Sequence, residues 1–133
     1  MIFHIQQDSP VPIYEQIVAQ VTFAVATGSL QPGDRIPSLR DLAAELVINP
    51  NTVARAFMEL ERNGIIESRR GIGMAVTPAA GPVCRQRRLK IIRERIRSAL
   101  REAVFSGLTP EEIKRVLDEE LVQARGGQFR EKR

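Results

Sequence analysis

The sequence has 133 residues, of which 43% are hydrophobic and 27% charged, a composition typical of a folded globular protein. No apolar run approaches the roughly 20 residues that span a bilayer, so no membrane partner is predicted. One His and one Cys are too few for a four-ligand zinc site, and no metal or cofactor is predicted. The single cysteine, Cys84, cannot form an intramolecular disulfide and favours a reducing, cytoplasmic setting.

The net charge of +4 is unevenly distributed and indicates a nucleic-acid partner only weakly. Residues 1 to 80 carry six basic against eight acidic side chains, a net charge of −2. Residues 81 to 133 carry fourteen against eight, a net charge of +6. Any nucleic-acid contact by the first part must therefore come from a few placed arginines and amides rather than from its overall charge.

Three helices are predicted in the first part of the chain. Apolar residues at helical spacing predict the first helix over residues 12 to 27. Ser38 can cap a second helix over residues 39 to 46. Asn49 can cap a third over residues 50 to 62, where proline suits the first position because its missing N–H costs nothing there. The second and third helices, separated by a tight turn, predict a helix-turn-helix.

Two short β-type runs follow the third helix. They cover residues 65 to 69 and 74 to 77, and a glycine-rich tip from Gly71 to Gly73 joins them. A helix-turn-helix followed by a β-hairpin is a winged helix-turn-helix, whose usual use is recognition of the DNA major groove. We assign this domain to residues 1 to 78.

The rest of the chain is predicted as a linker and two helices. Residues 79 to 88 are assigned to the linker, because residues 78 to 82 consist of Ala, Gly and Pro. Amphipathic helices occupy residues 89 to 125, the second starting at a capping box over residues 109 to 112, and residues 126 to 133 form a flexible polar tail. Two such helices cannot form a stable core alone, so they must pack on the winged domain or on a second subunit. The apolar residues assigned to dimerisation are Leu89, Ile92, Ile96, Leu100, Ile113, Val116, Leu117 and Leu121. The expected fold is therefore mainly α with a small β-wing, an N-terminal winged helix-turn-helix followed by a two-helix C-terminal dimerisation region.

Four spaced motifs resemble those of a known family. They are Pro12-Ile13-Tyr14-Glu15-Gln16-Ile17, Gly33-Asp34-Arg35-Ile36-Pro37-Ser38-Leu39-Arg40, Asn49-Pro50-Asn51-Thr52-Val53-Ala54-Arg55-Ala56 and Arg70-Gly71-Ile72-Gly73. Over residues 9 to 77 the sequence resembles the GntR family of bacterial transcription regulators, and specifically its short YtrA-type branch. The resemblance implies a homodimer that binds a pseudo-palindromic operator in double-stranded DNA and represses nearby genes, often transport operons in that branch. A small-molecule effector is left open.

The resemblance also implies which residues contact DNA, at the starts of the second and third helices and at the tip of the wing. The residues assigned to DNA binding are Ser38, Arg40, Pro50, Asn51, Thr52, Arg55, Arg70, Gly71 and Gly73. The chemistry fits these roles, because Asn can pair with adenine, Thr can touch a thymine methyl, and Arg can bind guanine or phosphate. Free backbone N–H groups beside Asn51 and Thr52 are expected to favour an acceptor on DNA. Glycines let the wing backbone approach the minor groove.

Several side chains leave two interpretations open. Asn49 is a helix cap or a DNA contact, and Arg55 contacts DNA or pairs with a nearby acid on its helix. The basic residues between 85 and 101 are a solvated helix face or a contact to flanking phosphates. Val47 stands where the turn between the two helices usually has glycine. Because a β-branched residue should avoid positive φ, we expect this turn to be strained or differently shaped.

Two classes of protein other than a DNA-binding regulator are considered, an enzyme and a protein-binding module. An enzyme is not expected, because the residues beyond the winged domain offer no room for a cofactor-binding catalytic domain. A winged-helix module that binds protein rather than DNA is the alternative. The polar residues at the start of the third helix argue against it, because protein-binding surfaces normally present apolar anchors.

Overall fold

Helices dominate the fold, with one small β-hairpin among them. The structure is a computed structural model that describes the backbone of residues 3 to 131 and the side chains of residues 3 to 126. Within this part the elements are α1 (Ile13–Thr27), α2 (Leu39–Leu46), α3 (Pro50–Arg62), β1 (Ile66–Arg69), β2 (Gly73–Val76), α4 (Ala80–Phe105) and α5 (Pro110–Glu131). The predicted class, mainly α with a small β-wing, is confirmed, and the first three helices occupy the predicted segments.

The core of the first part lies where the inner faces of α1, α2 and α3 meet. Its fully buried side chains include Ile17 and Val21 of α1, Leu42 of α2, and Val53 and Leu60 of α3. Withdrawing each such side chain from water contributes roughly 2 kcal/mol. Because α3 buries this face in the core, its opposite face is left to solvent, and that face carries the candidate site.

The wing is joined to the start of α2 by main-chain hydrogen bonds. β1 and β2 pair antiparallel, with Arg69 opposite Gly73 next to the tip. The chain just before α2 continues this sheet, because the N–H of Ile36 donates to the carbonyl oxygen of Met74 at 2.9 Å. The start of α2 and the wing are therefore held in a fixed relation to each other.

Both helices of the helix-turn-helix begin at the predicted caps. The hydroxyl oxygen of Ser38 accepts the N–H of Asp41 at 3.1 Å. The side-chain oxygen of Asn49 accepts the N–H of Asn51 at 2.8 Å, and Pro50 occupies the first position of α3. These local bonds fix where each helix starts and thus where its first side chains are placed.

The turn between α2 and α3 has the left-handed backbone geometry that is usually occupied by glycine. Val47 adopts φ 53° and ψ 52°, in the left-handed region, and its side chain is 86% exposed. The N–H of the next residue, Ile48, donates to the carbonyl oxygen of Ala43 at 3.1 Å and closes the turn. Of the two outcomes expected for this turn, the structure shows the strained one, because this closing bond holds Val47 in the left-handed region.

Replacing Val47 with glycine is expected to stabilise the protein. The left-handed region costs a residue with a Cβ about 1–2 kcal/mol, whereas glycine loses about 0.5–1 kcal/mol more chain entropy on folding. Because Val47 is exposed, little buried area is lost, and Val47→Gly should raise the free energy of unfolding by about 0.5–1 kcal/mol in urea titrations. Val47→Ala is the matched control, since it keeps the Cβ. An equal gain from alanine would contradict the argument from strain.

The prediction of a linker over residues 79 to 88 is wrong, because α4 already begins at Ala80. Ala80 and Cys84 lie one helical turn apart, and both are fully buried in the core of the first part. Burial of this face stabilises the helix despite its glycine and proline. Pro82 is tolerated because the first N–H groups of a helix have no partner within it. The first compact unit accordingly ends at Ile91, inside α4, rather than at residue 78.

Cys84 is consequently a core residue and not an accessible thiol. Its side chain has no solvent exposure, and burial raises the pKa of the thiol to about 11, although nearby Arg87 and Arg85 oppose the shift. A thiolate is the reactive form of cysteine, so a buried neutral thiol is inert toward oxidants.

The second compact unit, which starts at Ile92, contains the end of α4 and all of α5. The predicted capping box at the start of α5 is confirmed: Thr109 N–H donates to Glu112 Oε1 at 3.0 Å, and Glu112 N–H donates to Thr109 Oγ1 at 3.2 Å. The backbone bond from Thr109 lowers the pKa of Glu112. α5 continues to Glu131, so residues 126 to 131 of the predicted tail are helical, and residues 132 and 133 lie outside the described part.

Candidate nucleic-acid interface

The solvent face of α3 carries a line of exposed side chains. Asn51, Arg55, Met58 and Arg62 follow one another at helical spacings of three and four residues, and all four are exposed. Thr52 is half-buried at the edge of this line. The residues assigned to DNA reading at the start of α3 are therefore presented to solvent and not packed inside.

The backbone N–H groups at the start of α3 are not free, contrary to the prediction. The N–H of Asn51 donates to the side chain of Asn49, and the N–H of Thr52 donates to the backbone carbonyl oxygen of Asn49 at 3.0 Å. Asn49 acts as the cap and thus satisfies the very groups that were expected to bind an acceptor on DNA. An external acceptor at this end of α3 would have to be bound by side chains rather than by these two N–H groups.

The start of α2 presents an unpaired cation. Arg40 is exposed and has no hydrogen-bond or ion-pair partner within the part of the chain whose side chains are described. Next to it, the hydroxyl oxygen of Ser38 caps the helix, which leaves the hydroxyl proton free to be donated elsewhere. Both residues thus offer donors, which suit the phosphate oxygens of DNA.

At the wing, the two neighbouring arginines differ in what they contact. Arg69 Nε donates to Glu67 Oε1 at 2.9 Å, the one ion pair between described side chains. Arg70 is exposed at the tip and takes no part in that pair. Gly71 and Gly73 have φ of 80° and 94°, and a Cβ added at either would meet open space. Arg70 is therefore the wing arginine that is free to bind an external anion.

Two clefts flank α3 and connect the parts of the site. One is lined by Ser38 at the start of α2, by Met58 of α3 and by Gly73 of the wing. The other, on the α1 side, is lined by Arg55 and again by Met58. The start of α2, the exposed face of α3 and the wing therefore border one continuous region of surface.

Arg55 stacks on an aromatic ring instead of pairing with an acid. Its guanidinium carbon lies 3.9 Å from the centroid of the Tyr14 ring, and its Nη2 donates to the Tyr14 hydroxyl at 3.3 Å. No carboxylate lies within ion-pair distance of it in the described part of the chain. Of the two interpretations left open for Arg55, pairing with a nearby acid on its helix is thus excluded for this structure.

Met58 is an exposed residue of this surface that was not among the predicted site residues. Its side chain is 70% exposed and lines both clefts. As an apolar residue, Met58 was not assigned to the polar face. Its spacing of three from Arg55 and seven from Asn51 places it there, and that spacing was the signal that could have found it.

The second unit exposes apolar side chains along both of its helices. Seven of the eight residues assigned to dimerisation lie in this unit; five of them are exposed, and Leu100 and Ile113 are half-buried. The eighth, Leu89, is also exposed and lies near the end of the first unit. Further exposed apolar residues were not predicted, among them Phe105, which is 93% exposed. They are Val104, Phe105, Leu108 and Val122. No side chain described beyond Ile92 is buried, so this unit has no core of its own in one copy of the chain.

Comparison with known proteins identifies the family to which this chain belongs. The model of the bacterial regulatory proteins of the gntR family matches residues 13 to 76. The HTH-type transcriptional repressor YtrA of Bacillus subtilis is 36% identical over 119 residues, which cover 90% of this chain and 92% of that protein. The chain belongs to the GntR family.

Solved structures agree with this assignment over most of the chain. A GntR family transcriptional regulator from Listeria monocytogenes matches with a TM-score of 0.67 and 32% identity, covering 84% of this chain and 97% of that one. YtrA from Sulfolobus acidocaldarius, a GntR-family transcription factor, matches with a TM-score of 0.55 and 28% identity, covering 92% and 99%. This GntR-family protein is therefore a transcriptional regulator of the YtrA type with a winged helix-turn-helix DNA-binding domain, and not an enzyme. Among the described helices, none has the length and apolarity needed to cross a membrane.

Proposed function

We propose that this regulator is a homodimeric repressor that binds a pseudo-palindromic DNA operator in the cytoplasm. The observation that carries the proposal is one continuous surface of exposed polar and basic side chains, none of which takes part in an ion pair. They are Arg40 at α2, Asn51 and Arg55 on α3, and Arg70 on the wing. Repression is supported by the relationship to YtrA of Bacillus subtilis, which is named as a repressor. Control of a transport operon, implied by the resemblance to that branch, is part of the same proposal.

In this proposal the residues divide into two roles. Asn51 and Thr52 reach base edges in the major groove from the start of α3, where an amide can pair with adenine and a methyl can meet thymine. Arg40 and Arg70 bind phosphates on either side, with Ser38 and the Gly71 backbone adding donors. Phosphate contacts fix the position of the protein on DNA, and base contacts supply the sequence preference.

A second copy of the chain is the proposed partner of the exposed apolar residues on α4 and α5. Large exposed apolar patches on a soluble protein mark interaction sites. The part of α4 and α5 beyond Ile92, where no described side chain is buried, gains a core when two copies pack together. A twofold dimer then explains a palindromic operator, with half-sites separated by whole turns of DNA.

The alternative, a winged module that binds protein, draws some support from Met58 and Ile72, both exposed apolar residues beside the cleft between α3 and the wing. Against it stand the arginines that frame the same surface. A protein-binding surface of this size would present larger anchors at its centre. DNA remains the better match.

The test is selection of duplexes from a randomised pool by the full-length protein, followed by sequencing and measurement of affinity at several salt concentrations. We expect a palindromic motif, and a logarithmic salt slope near −5 if about six phosphates are neutralised by the dimer. Enrichment of a single unrepeated half-site would contradict the dimer. Absence of any enriched sequence would contradict DNA reading and favour the protein-binding alternative.

A further inference from the structure

Tyr14 and Arg55 form a contact between the start of α1 and the recognition helix α3. The two residues are 41 positions apart in the chain, and both belong to the first compact unit. The guanidinium lies face-on to the ring, 3.9 Å from its centroid, within the range of a cation–π interaction. Tyr14 is half-buried and packs against the core, so its ring is a fixed platform for a side chain that is itself exposed.

Hydrogen bonds orient this platform. The Tyr14 hydroxyl donates its proton to Glu15 Oε1 at 3.1 Å, which leaves the oxygen lone pairs to accept from Arg55 Nη2 at 3.3 Å. The bond to Glu15 raises the pKa of Tyr14, with smaller contributions from burial and from the charges of Glu15 and Glu59, whereas Arg55 lowers it. The phenol therefore stays protonated at neutral pH, as the donor to Glu15 that this arrangement requires.

The contact with Tyr14 fixes the position of the Arg55 side chain without neutralising its positive charge. Arg carries five N–H donors, of which the tyrosine oxygen accepts one, and the ring covers one face of the guanidinium. Within the described side chains, no carboxylate comes within ion-pair distance of it. An arginine bound to an acid would have to break that bond before it met DNA, and an unrestrained arginine would lose rotamer freedom on binding. Arg55 has neither disadvantage.

We propose that Tyr14 is a positioning residue for DNA recognition, which holds Arg55 over the exposed face of α3 so that its free N–H edge meets a DNA phosphate. This inference rests on the proposed function and extends it to a residue outside the helix-turn-helix. Tyr14 itself makes no contact with DNA in this proposal. Its contribution is transmitted through Arg55 alone.

The experiment measures operator affinity, salt slope and thermal stability of the full-length protein for Tyr14→Leu, Tyr14→Phe, Arg55→Ala and the double variant Tyr14→Leu/Arg55→Ala. Removing the ring should weaken operator binding about 5- to 10-fold, because the cost of ordering the long Arg55 side chain is then met on binding. Phenylalanine keeps the stack and should stay within about 3-fold of the wild type. In the Arg55→Ala background, Tyr14→Leu should have no further effect on affinity, because the residue through which it acts is gone.

Phe23→Leu is the matched control, since Phe23 is another half-buried aromatic residue of α1 and takes no part in the one cation–π contact between described side chains. It should leave operator affinity unchanged. Arg55→Lys is a second test that leaves Tyr14 in place, in case Tyr14→Leu fails to fold. Lysine keeps the charge but lacks the planar group that stacks, so affinity should fall while the salt slope is retained.

Three results would overturn the proposal. They are equal loss of affinity from Tyr14→Leu with and without Arg55, unchanged affinity in Tyr14→Leu and Arg55→Lys, or tighter binding in Tyr14→Leu. Failure of the proposed function gives a different result. In that case the wild-type protein selects no operator at all, and both proposals fall together. If Asn51→Ala weakens binding but Arg55→Ala does not, DNA reading stands and the role of Tyr14 is refuted.

Discussion

Ile96→Glu is expected to convert the regulator into a monomer and to weaken operator binding at least about 100-fold, the lower end of what linking two binding modules contributes. Ile96 lies on α4 among the exposed apolar residues proposed to pair with a second copy, and it is 48% exposed in one chain. A glutamate there would be buried without a partner on dimerisation, which opposes association. Sedimentation would report the oligomeric state, and fluorescence anisotropy the affinity for the palindromic duplex.

Ser98→Glu supplies the matched control for this prediction. Ser98 lies two positions further along the same helix and is exposed on the opposite side from Ile96. It receives the same charge, so a general electrostatic effect on DNA binding would appear in both variants. Only Ile96→Glu should lose the dimer. A dimeric Ile96→Glu with normal operator affinity would show that the apolar residues of α4 do not form the interface.

The helices of the first part could be predicted because their signals are local. Ser38 and Asn49 cap their helices by bonds that span two or three residues, and the buried faces repeat every three or four positions. The start of α4 could not be predicted in the same way. Gly81 and Pro82 favour a linker locally, and only burial of Ala80 and Cys84 in a distant core makes the segment helical.

The candidate site shows the same division between local and distant causes. The exposed positions of Asn51 and Arg55 follow from helical spacing, and so does that of Met58 once the spacing is applied to it. The partner of Arg55 does not follow from helical spacing, because Tyr14 lies on another helix. The spacing within α3 indicated an acid on the same helix instead. The occupied N–H groups at the start of α3 have a local cause, because the same Asn49 that caps the helix accepts the N–H groups of Asn51 and Thr52.

Asn51→Ala is expected to weaken binding to the selected operator by about 5- to 150-fold while leaving binding to unrelated DNA nearly unchanged, since a bidentate base contact discriminates by about 1–3 kcal/mol. The side chain of Asn51 is exposed, and it is the backbone N–H of Asn51 that donates to Asn49 Oδ1, so alanine leaves the cap of α3 in place. Competition anisotropy with operator and scrambled duplexes would measure both affinities.

Two neighbouring substitutions separate the possible causes. Asn49→Ala removes the cap and should lower the free energy of unfolding by about 1 kcal/mol, an effect that Asn51→Ala should not share. Arg70→Ala removes a cation proposed to bind phosphate and should weaken binding to every sequence, reducing the salt slope by about 1 for each phosphate that is no longer neutralised. If Asn51→Ala weakened operator and scrambled DNA equally, Asn51 would bind the DNA backbone, and sequence preference would have to come from other residues on the exposed face of α3.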